Sequence, residues 1–236
     1  MYSKSEIYYD ALYEALGKDY SKEAAAVHRF IRKYCRSGGV DLLDVACGTG
    51  SHVGFLAKHY KVEGMDLDPN MIALARKKHP KVRFIQGNMI DFNLNRRFDI
   101  IICLFSSIGY ARTKGNLIRA IKSMAHHLKG GGVLLIEPWF SAEQWNVGRI
   151  HTLHVDNTDL KITRMSISGR KRNISTLDFH YLAGSIQRIE YFTEHHELGL
   201  FSHTDNLKAF RAAGLEVIHD KKGLDGRGLY IGRKAK

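Results

Sequence analysis

The chain has 236 residues, enough for one domain of ordinary size to bury its own core. Its 44% hydrophobic and 25% charged residues exclude an intrinsically disordered chain. Thirty-six Lys and Arg against 24 Asp and Glu leave a net charge of +12, a surface suited to anions such as nucleic acid, nucleotides or acidic membrane. Cys35, Cys47 and Cys103 are too few and too scattered for a disulfide framework or a zinc site, so no metal is expected. The residues Met1–Tyr13 lack the apolar core of a signal peptide, and the longest apolar run, Ile100–Phe105, is far too short to span a bilayer. These features predict a soluble, cytoplasmic protein.

In chain order, Ser21–Cys35 reads as an amphipathic helix with Ala25, Val27, Phe30, Ile31 and Tyr34 on its apolar stripe. Strand Asp41–Ala46, helix Ser51–His59, strand Val62–Leu67 and helix Pro69–Lys78 follow, the last with proline in its first turn. Then come strands Lys81–Gln86 and Phe98–Phe105, and helix Thr113–Leu128, which Gly130–Gly132 is expected to stop before strand Val133–Pro138. This alternation predicts a parallel sheet with helices on both faces. The rhythm then changes to β-branched alternating segments, His151–Val155, Leu160–Ser168, Ile174–Tyr181 and Gln187–Leu200. Turn signals separate them at Asp156-Asn157, Gly169 and Ala183-Gly184. We read a four-stranded antiparallel insertion over residues 150–200. Helix Thr204–Ala213 and strands Leu215–Lys221 and Gly228–Arg233 complete the pattern. The expected division is a helical cap (1–36), a cofactor-binding core (37–149), the insertion (150–200) and a C-terminal completion of the sheet (201–236).

The first strand runs into Asp44-Val45-Ala46-Cys47-Gly48-Thr49-Gly50. Glycine at 48 and 50 lets the backbone approach a ligand without a Cβ clash. The third glycine of a dinucleotide fingerprint is missing, since Ser51, His52 and Val53 follow, and this weakens a nicotinamide reading. Asp66 ends the next strand, about twenty residues past the loop, where a carboxylate suits a pair of ribose hydroxyls. Leu67 and Met71 could flank a flat base. Asn88 and Met89, after the third strand, could read its amino edge.

This pattern resembles the class I S-adenosylmethionine-dependent methyltransferases over nearly the whole chain. The resemblance implies a Rossmann-like α/β fold and S-adenosyl-L-methionine as cofactor. It implies Asp44, Ala46, Gly48, Gly50, Asp66, Leu67, Met71, Asn88, Met89 and Leu104 as its binding residues. Asn88 departs from the aspartate usual in the family, and weaker adenine selectivity is expected. A narrower resemblance rests on Gly17-Lys18-Asp19-Tyr20, Phe105-Ser106-Ser107-Ile108-Gly109-Tyr110, Glu137-Pro138-Trp139 and Gly226-Arg227-Gly228-Leu229. These stretches are similar to the TDP-3-amino-sugar N,N-dimethyltransferases of the desosamine and mycaminose type. This implies an N-methyltransferase acting on the amine of a nucleotide-linked sugar. Tyr110 and Tyr2 would then face the amine as catalytic residues, and Tyr9 would contact the methionine tail. Tyr20, Ser107, Glu137, Trp139 and Arg164 would line the sugar-nucleotide pocket. Arg227, between two glycines, would take the pyrophosphate, which a guanidinium can bind bidentately.

Plainer readings stand beside these. Tyr110 could cap a strand in the core, Arg227 could be a solvated turn charge, and Trp139 and Trp145 could pack under the insertion. His195 and His196 are adjacent on a strand, point to opposite faces and cannot chelate together. The runs Arg76-Lys77-Lys78 and Arg170-Lys171-Arg172 keep an RNA-associated reading open, but Phe105–Gly109 lacks the proline motif of nucleic-acid amine methyltransferases. Nucleic acid is therefore not the expected partner. Another small amine or hydroxyl acceptor is the alternative substrate class. Pairing of an insertion edge across a two-fold axis would make a homodimer.

Overall fold

The computed structural model describes residues 4–236. Tyr2 therefore lies outside the described residues. A 3-10 turn, Ser5–Tyr8, leads into α1 (Tyr9–Ala15), and α2 (Tyr20–Tyr34) follows. Asp19 starts α2 because its carboxylate accepts the Lys22 N–H at 2.9 Å, a cap worth ~1 kcal/mol. Next come β1 (Asp41–Val45), α3 (Ser51–Leu56), β2 (Lys61–Asp66), α4 (Pro69–Lys78), β3 (Arg83–Gln86), β4 (Phe98–Cys103), α5 (Lys114–His126) and β5 (Leu128–Ile136). The antiparallel strands are β6 (Ile150–Asp156), β7 (Leu160–Lys171), β8 (Ile174–Ser185) and β9 (Ile189–Gly199). Then α6 (His203–Ala212), β10 (Leu215–Asp220) and β11 (Leu229–Lys234) complete the chain.

Seven strands form one mixed sheet in the order β3-β2-β1-β4-β5-β11-β10, with β11 antiparallel to both its neighbours. Its central strands are apolar on both faces. Leu42, Ile100, Ile102, Val133 and Leu135 pack with the residues of α2, α3 and α4. Leu43, Ile101, Cys103, Leu134 and Ile136 pack with those of α5 and α6. Strand order reverses between β1 and β4, and the crevice at their carboxyl ends is where open α/β sheets bind ligands. The second sheet, β6-β7-β8-β9, buries Leu153, Val155, Ile162, Tyr181 and Phe192 against Tyr8 and Leu12 of the N-terminal segment.

Four expectations are corrected. The helix expected to reach His59 ends at Leu56. Gly130–Gly132 does not stop a helix, since α5 has already ended and the glycines lie inside β5. They serve a close approach: the Arg36 N–H donates to the Gly131 carbonyl at 2.7 Å, and a Cβ on Gly132 would meet the Asp99 carbonyl at 2.8 Å. Gly169 also lies in a strand, where a Cβ would meet Thr176 Oγ1 at 2.4 Å, and the chain turns instead at Arg172, whose φ is +55°. Ala183-Gly184 continues β8, with Ala183 buried against Leu153 and Ile162.

Candidate active site

The loop after β1 takes left-handed backbone at alternate positions, with φ of +58° at Ala46, +55° at Gly48 and +76° at Gly50. The turn this makes points the Gly48 N–H at Asp66 Oδ2, 2.8 Å away, while Asp66 Oδ1 accepts the Asp68 N–H at 3.0 Å. Asp66 thus braces the loop from the end of the neighbouring strand. Burial raises its pKa, and these backbone donors oppose the rise. Gly64 pairs with Asp44 in the sheet, and a Cβ there would meet the Phe84 ring at 2.5 Å and Cys47 Sγ at 2.9 Å. Glycine is what lets the loop sit this low.

Asp44 is buried, and its Oδ2 has no hydrogen-bond partner among the described residues. Burial, with Asp66 nearby, pushes its pKa up to about 8. Its side chain borders a small cavity of about 30 Å³ with Tyr9, Tyr20, Gly48, Thr49, Leu104 and Ser107. An unpartnered buried carboxylate beside open backbone fits a cationic ligand group such as an α-ammonium.

The larger cavity, about 810 Å³, opens beside this one. Ala46, Gly48, Asp66, Leu67, Met71, Asn88 and Met89 line one end. Asn88 Oδ1 already accepts the Ile90 N–H at 3.1 Å, which holds the side chain at the loop. Tyr9 enters from α1, its ring 4.6 Å from Tyr13 and edge-on to Phe105 at 6.5 Å, and burial raises its phenol pKa well above the ordinary value. Ser107 and Tyr110 enter from the 3-10 turn Ser107–Ala111 after β4. Phe105 and Ser106 precede that turn at φ of +51° and +59°, a conformation side chains disfavour. It is held because the Phe105 N–H donates to Glu137 Oε2 at 2.5 Å and Ser106 Oγ donates to the Pro138 carbonyl at 2.7 Å. Tyr110 is thereby set with its hydroxyl 2.7 Å from His196 Nδ1 on β9.

Other walls of the cavity come from the insertion and the C-terminal segment. Arg164 lies over the Phe179 ring at 4.8 Å. Trp139 lines the cavity while its Nε1–H donates to Ser175 Oγ at 2.9 Å, so it both packs under the insertion and faces the space. Arg227 also lines the cavity and carries an ion pair with Asp225 and another, at 3.5 Å, with Glu137. It is not a solvated turn charge.

Some expected site residues lie elsewhere. Tyr20 and Leu104 line only the small cavity; the Tyr20 ring stands edge-on to His52 at 5.0 Å. Tyr20 thus lies beside the glycine loop and not in the lining of the large cavity. Glu137 is wholly buried behind Arg227 and lines neither cavity; burial pushes its pKa up to about 7. Gly50 lines neither cavity and is the N-cap residue of α3. Sequence reasoning missed Phe105, Arg149 and His151, which line the large cavity. It also missed Asp10, whose carboxylate accepts from Thr49 Oγ1 at 2.7 Å and Ser51 Oγ at 2.8 Å, latching α1 to the glycine loop. The i, i+2 spacing of Glu194 and His196 on a strand was the available signal for a shared inward face. Among the described residues there is no cluster of three or more metal-ligating side chains, and no helix is long and apolar enough to cross a membrane.

Residues 42–132 match the model of a methyltransferase domain. Over 226 residues the chain is 38% identical to the dTDP-3-amino-3,6-dideoxy-alpha-D-glucopyranose N,N-dimethyltransferase of Streptomyces fradiae, covering 95% of this chain and 88% of that one. The structure superposes on Streptomyces venezuelae DesVI with a TM-score of 0.93 and 34% identity over the full length of both. It also superposes on CalS10, an amino pentose methyltransferase from Micromonospora echinaspora solved with its S-adenosylmethionine. There the TM-score is 0.87, with 34% identity over 100% of this chain and 98% of that one.

Proposed function

The chain belongs to the S-adenosylmethionine-dependent sugar N-methyltransferases, and we propose that it methylates the amine of a dTDP-linked 3-amino-3,6-dideoxyhexose. The observation that carries this reading is the single cavity that runs from the loop held by Asp66, past Tyr110, to Arg164 and Arg227. A base and ribose fit one end and a pyrophosphate the other, with an aromatic middle of Tyr9, Phe105 and Trp139.

The cofactor supplies a methyl group already activated as a sulfonium. The chain's own part is to bind and to align, which can contribute ~7–11 kcal/mol of barrier lowering. Asp44 would hold the cofactor ammonium, Asp66 the ribose hydroxyls, and Asn88 and Met89 the adenine edge. Leu67 and Met71 would flank the ring. Tyr9 folds over from the N-terminal side and keeps water out. Arg227, oriented from behind by Asp225 and Glu137, would present its remaining N–H donors to the pyrophosphate, and Arg149 and Arg164 line the same cavity. Tyr110 would face the amine.

The same reading includes a homodimer. The outer face of the insertion sheet sets Ile150 opposite Ile167 and Leu182 opposite Tyr191, and Ile150 and Tyr191 are each more than 60% exposed. Exposed apolar side chains set among polar ones on this face favour a second copy packed face to face, rather than the edge pairing expected from sequence. A cytoplasmic location agrees with three free thiols and a nucleotide-sugar acceptor.

Mass spectrometry of a TDP-3-amino-3,6-dideoxyhexose incubated with the protein and S-adenosylmethionine tests the proposal. Mass gains of one and then two methyl groups are expected. An unchanged acceptor, with cofactor binding confirmed in the same sample, would remove this acceptor class.

A further inference from the structure

Tyr110 does not stand alone on the cavity wall. Its hydroxyl lies 2.7 Å from His196 Nδ1, and His196 Nε2 lies 3.5 Å from Glu194 Oε2. Both His196 and Glu194 are buried on the inner face of β9. Glu194 Oε1 accepts the Ser5 N–H at 3.1 Å and the Lys4 N–H at 3.2 Å, and Oε2 accepts Ser5 Oγ at 2.7 Å. Donors of this kind favour the charged form of a carboxylate. An ionised carboxylate at Nε2 fixes the imidazole tautomer with its proton there. Nδ1 is then the acceptor, so the Tyr110 hydroxyl donates inward to it, from a residue that lines the cavity.

We propose that Tyr110, His196 and Glu194 form a proton relay that deprotonates the acceptor amine before methylation, with His196 and Glu194 as positioning residues acting through Tyr110. This rests on the amino-sugar reading above. An alkyl amine is mostly an ammonium near neutral pH and has no lone pair to offer. In the relay one ammonium proton moves to the Tyr110 oxygen as the Tyr110 proton moves to His196 Nδ1. The products are a neutral amine with its lone pair free and an imidazolium beside the Glu194 carboxylate. One proton changes place and no co-reactant is needed. The ordering is that of a base held in one tautomer by a buried carboxylate.

Among the described residues, further ionisable groups stand around the relay. Tyr9 faces Tyr110 from α1. Arg164 from β7 and Tyr181 from β8 stand around Phe179, whose ring is 5.1 Å from that of His196. Tyr13 faces Tyr181. His195 and Glu197 lie on the same strand as His196; the His195 imidazole pairs with Asp178 and Glu197 with Arg112.

The test has two independent readouts. In the first, kcat/KM for the TDP-amino sugar is followed from about pH 6 to about pH 9.5 in the wild type, Tyr110→Phe, His196→Gln and Glu194→Gln, with cofactor affinity as the folding control. Tyr110→Phe and His196→Gln should lose on the order of 100-fold at about pH 6.5 and no more than ~5-fold at about pH 9.5, where solvent deprotonates the amine. Glu194→Gln should give a smaller loss of the same shape. A loss equal at all pH values in Tyr110→Phe, whose ring still fills the site, overturns the relay. The second readout needs no acceptor and no folded His196 variant. In ¹⁵N-histidine-labelled, cofactor-bound protein, the His196 ring should carry its proton on Nε2, with the Nδ1 signal shifting in Tyr110→Phe. A proton on Nδ1 overturns the relay even if the amino sugar proves to be the wrong acceptor. Absence of wild-type turnover, with the Nε2 tautomer seen, overturns only the acceptor.

Discussion

Glu137 and Arg227 face each other 3.5 Å apart, the carboxylate wholly buried and the guanidinium with one side toward the cavity. Asp225 holds a second edge of the same guanidinium. An arginine fixed on two sides loses little further freedom when an anion arrives. Arg227→Ala should therefore raise KM for the nucleotide sugar by ~10–100-fold, the value of one or two charge-assisted hydrogen bonds. Its effect on S-adenosylmethionine affinity should be small. Steady-state kinetics with each substrate varied would check this, and an unchanged sugar KM would refute the pyrophosphate role.

Asp44 gives a pH prediction. Burial raises its folded pKa from 3.8 to about 8, so the folded apoprotein binds this proton more tightly than the unfolded chain. The associated stability is present below about pH 4 and is lost as pH rises toward about 8. Asp44→Asn removes that penalty. The apo variant should melt several degrees higher than the wild type above about pH 8 and bind the cofactor at least ~10-fold more weakly. Thermal melts across pH, with calorimetric titration of the cofactor, measure both. A variant that binds cofactor normally would exclude the ammonium contact.

Asp66 both braces the Gly48 N–H and is placed for ribose hydroxyls. Asp66→Asn keeps one acceptor oxygen and loses the charge. Cofactor affinity should fall by ~10–100-fold, with the fold intact by circular dichroism. Equal affinity would remove the ribose assignment.

Asp10 latches α1 to the glycine loop through Thr49 and Ser51, and Lys78 pairs with it at 2.7 Å. Asp10→Ala frees the N-terminal helix at one point. We expect faster hydrogen exchange over Tyr9–Ala15 and a KM for the cofactor raised by ~3–10-fold, with kcat less affected. Exchange mass spectrometry resolves the helix directly, and unaltered protection there would show that the latch holds nothing.

Ile167 lies on the outer face of the insertion sheet, between Ile150 of β6 and Asp178 of β8. Ile167→Glu would place a charge in the middle of a face-to-face dimer. Light scattering should report a dimer for the wild type and a monomer for the variant, with the melting temperature nearly unchanged for the isolated chain. A monomeric wild type would contradict the dimer.

Much of the fold was legible because local signals agreed. Asp19, Asp68 and Thr113 each cap a helix with their side chain, and the sequence placed those helices within a residue or two at their starts. The alternation of Leu42 with Leu43, or Ile101 with Ile102, marks strands buried on both faces. Glycine misled where it served packing instead of turning. Gly132 and Gly169 are small because another group lies too close for a Cβ, which no local pattern reveals. In the site, Ala46, just after a strand, and Asp66, at the end of one, could be read from those places. Glu137 could not, because it is tied to Phe105 across 32 positions of chain and then turned away from the cavity. Adjacency in sequence sets His196 beside His195 and hides its partner across the fold. Its partners are Tyr110, 86 residues away, and Glu194, two residues back on the same face.

The carboxylate of Glu194 does two jobs at once. It tethers the N-terminal segment through Lys4 and Ser5, and it stands behind His196. Lifting that segment to admit a sugar nucleotide would strip the carboxylate of its donors at the same moment. Docking the segment again would restore them. On the proposed relay, entry and proton acceptance would then be two readings of one equilibrium.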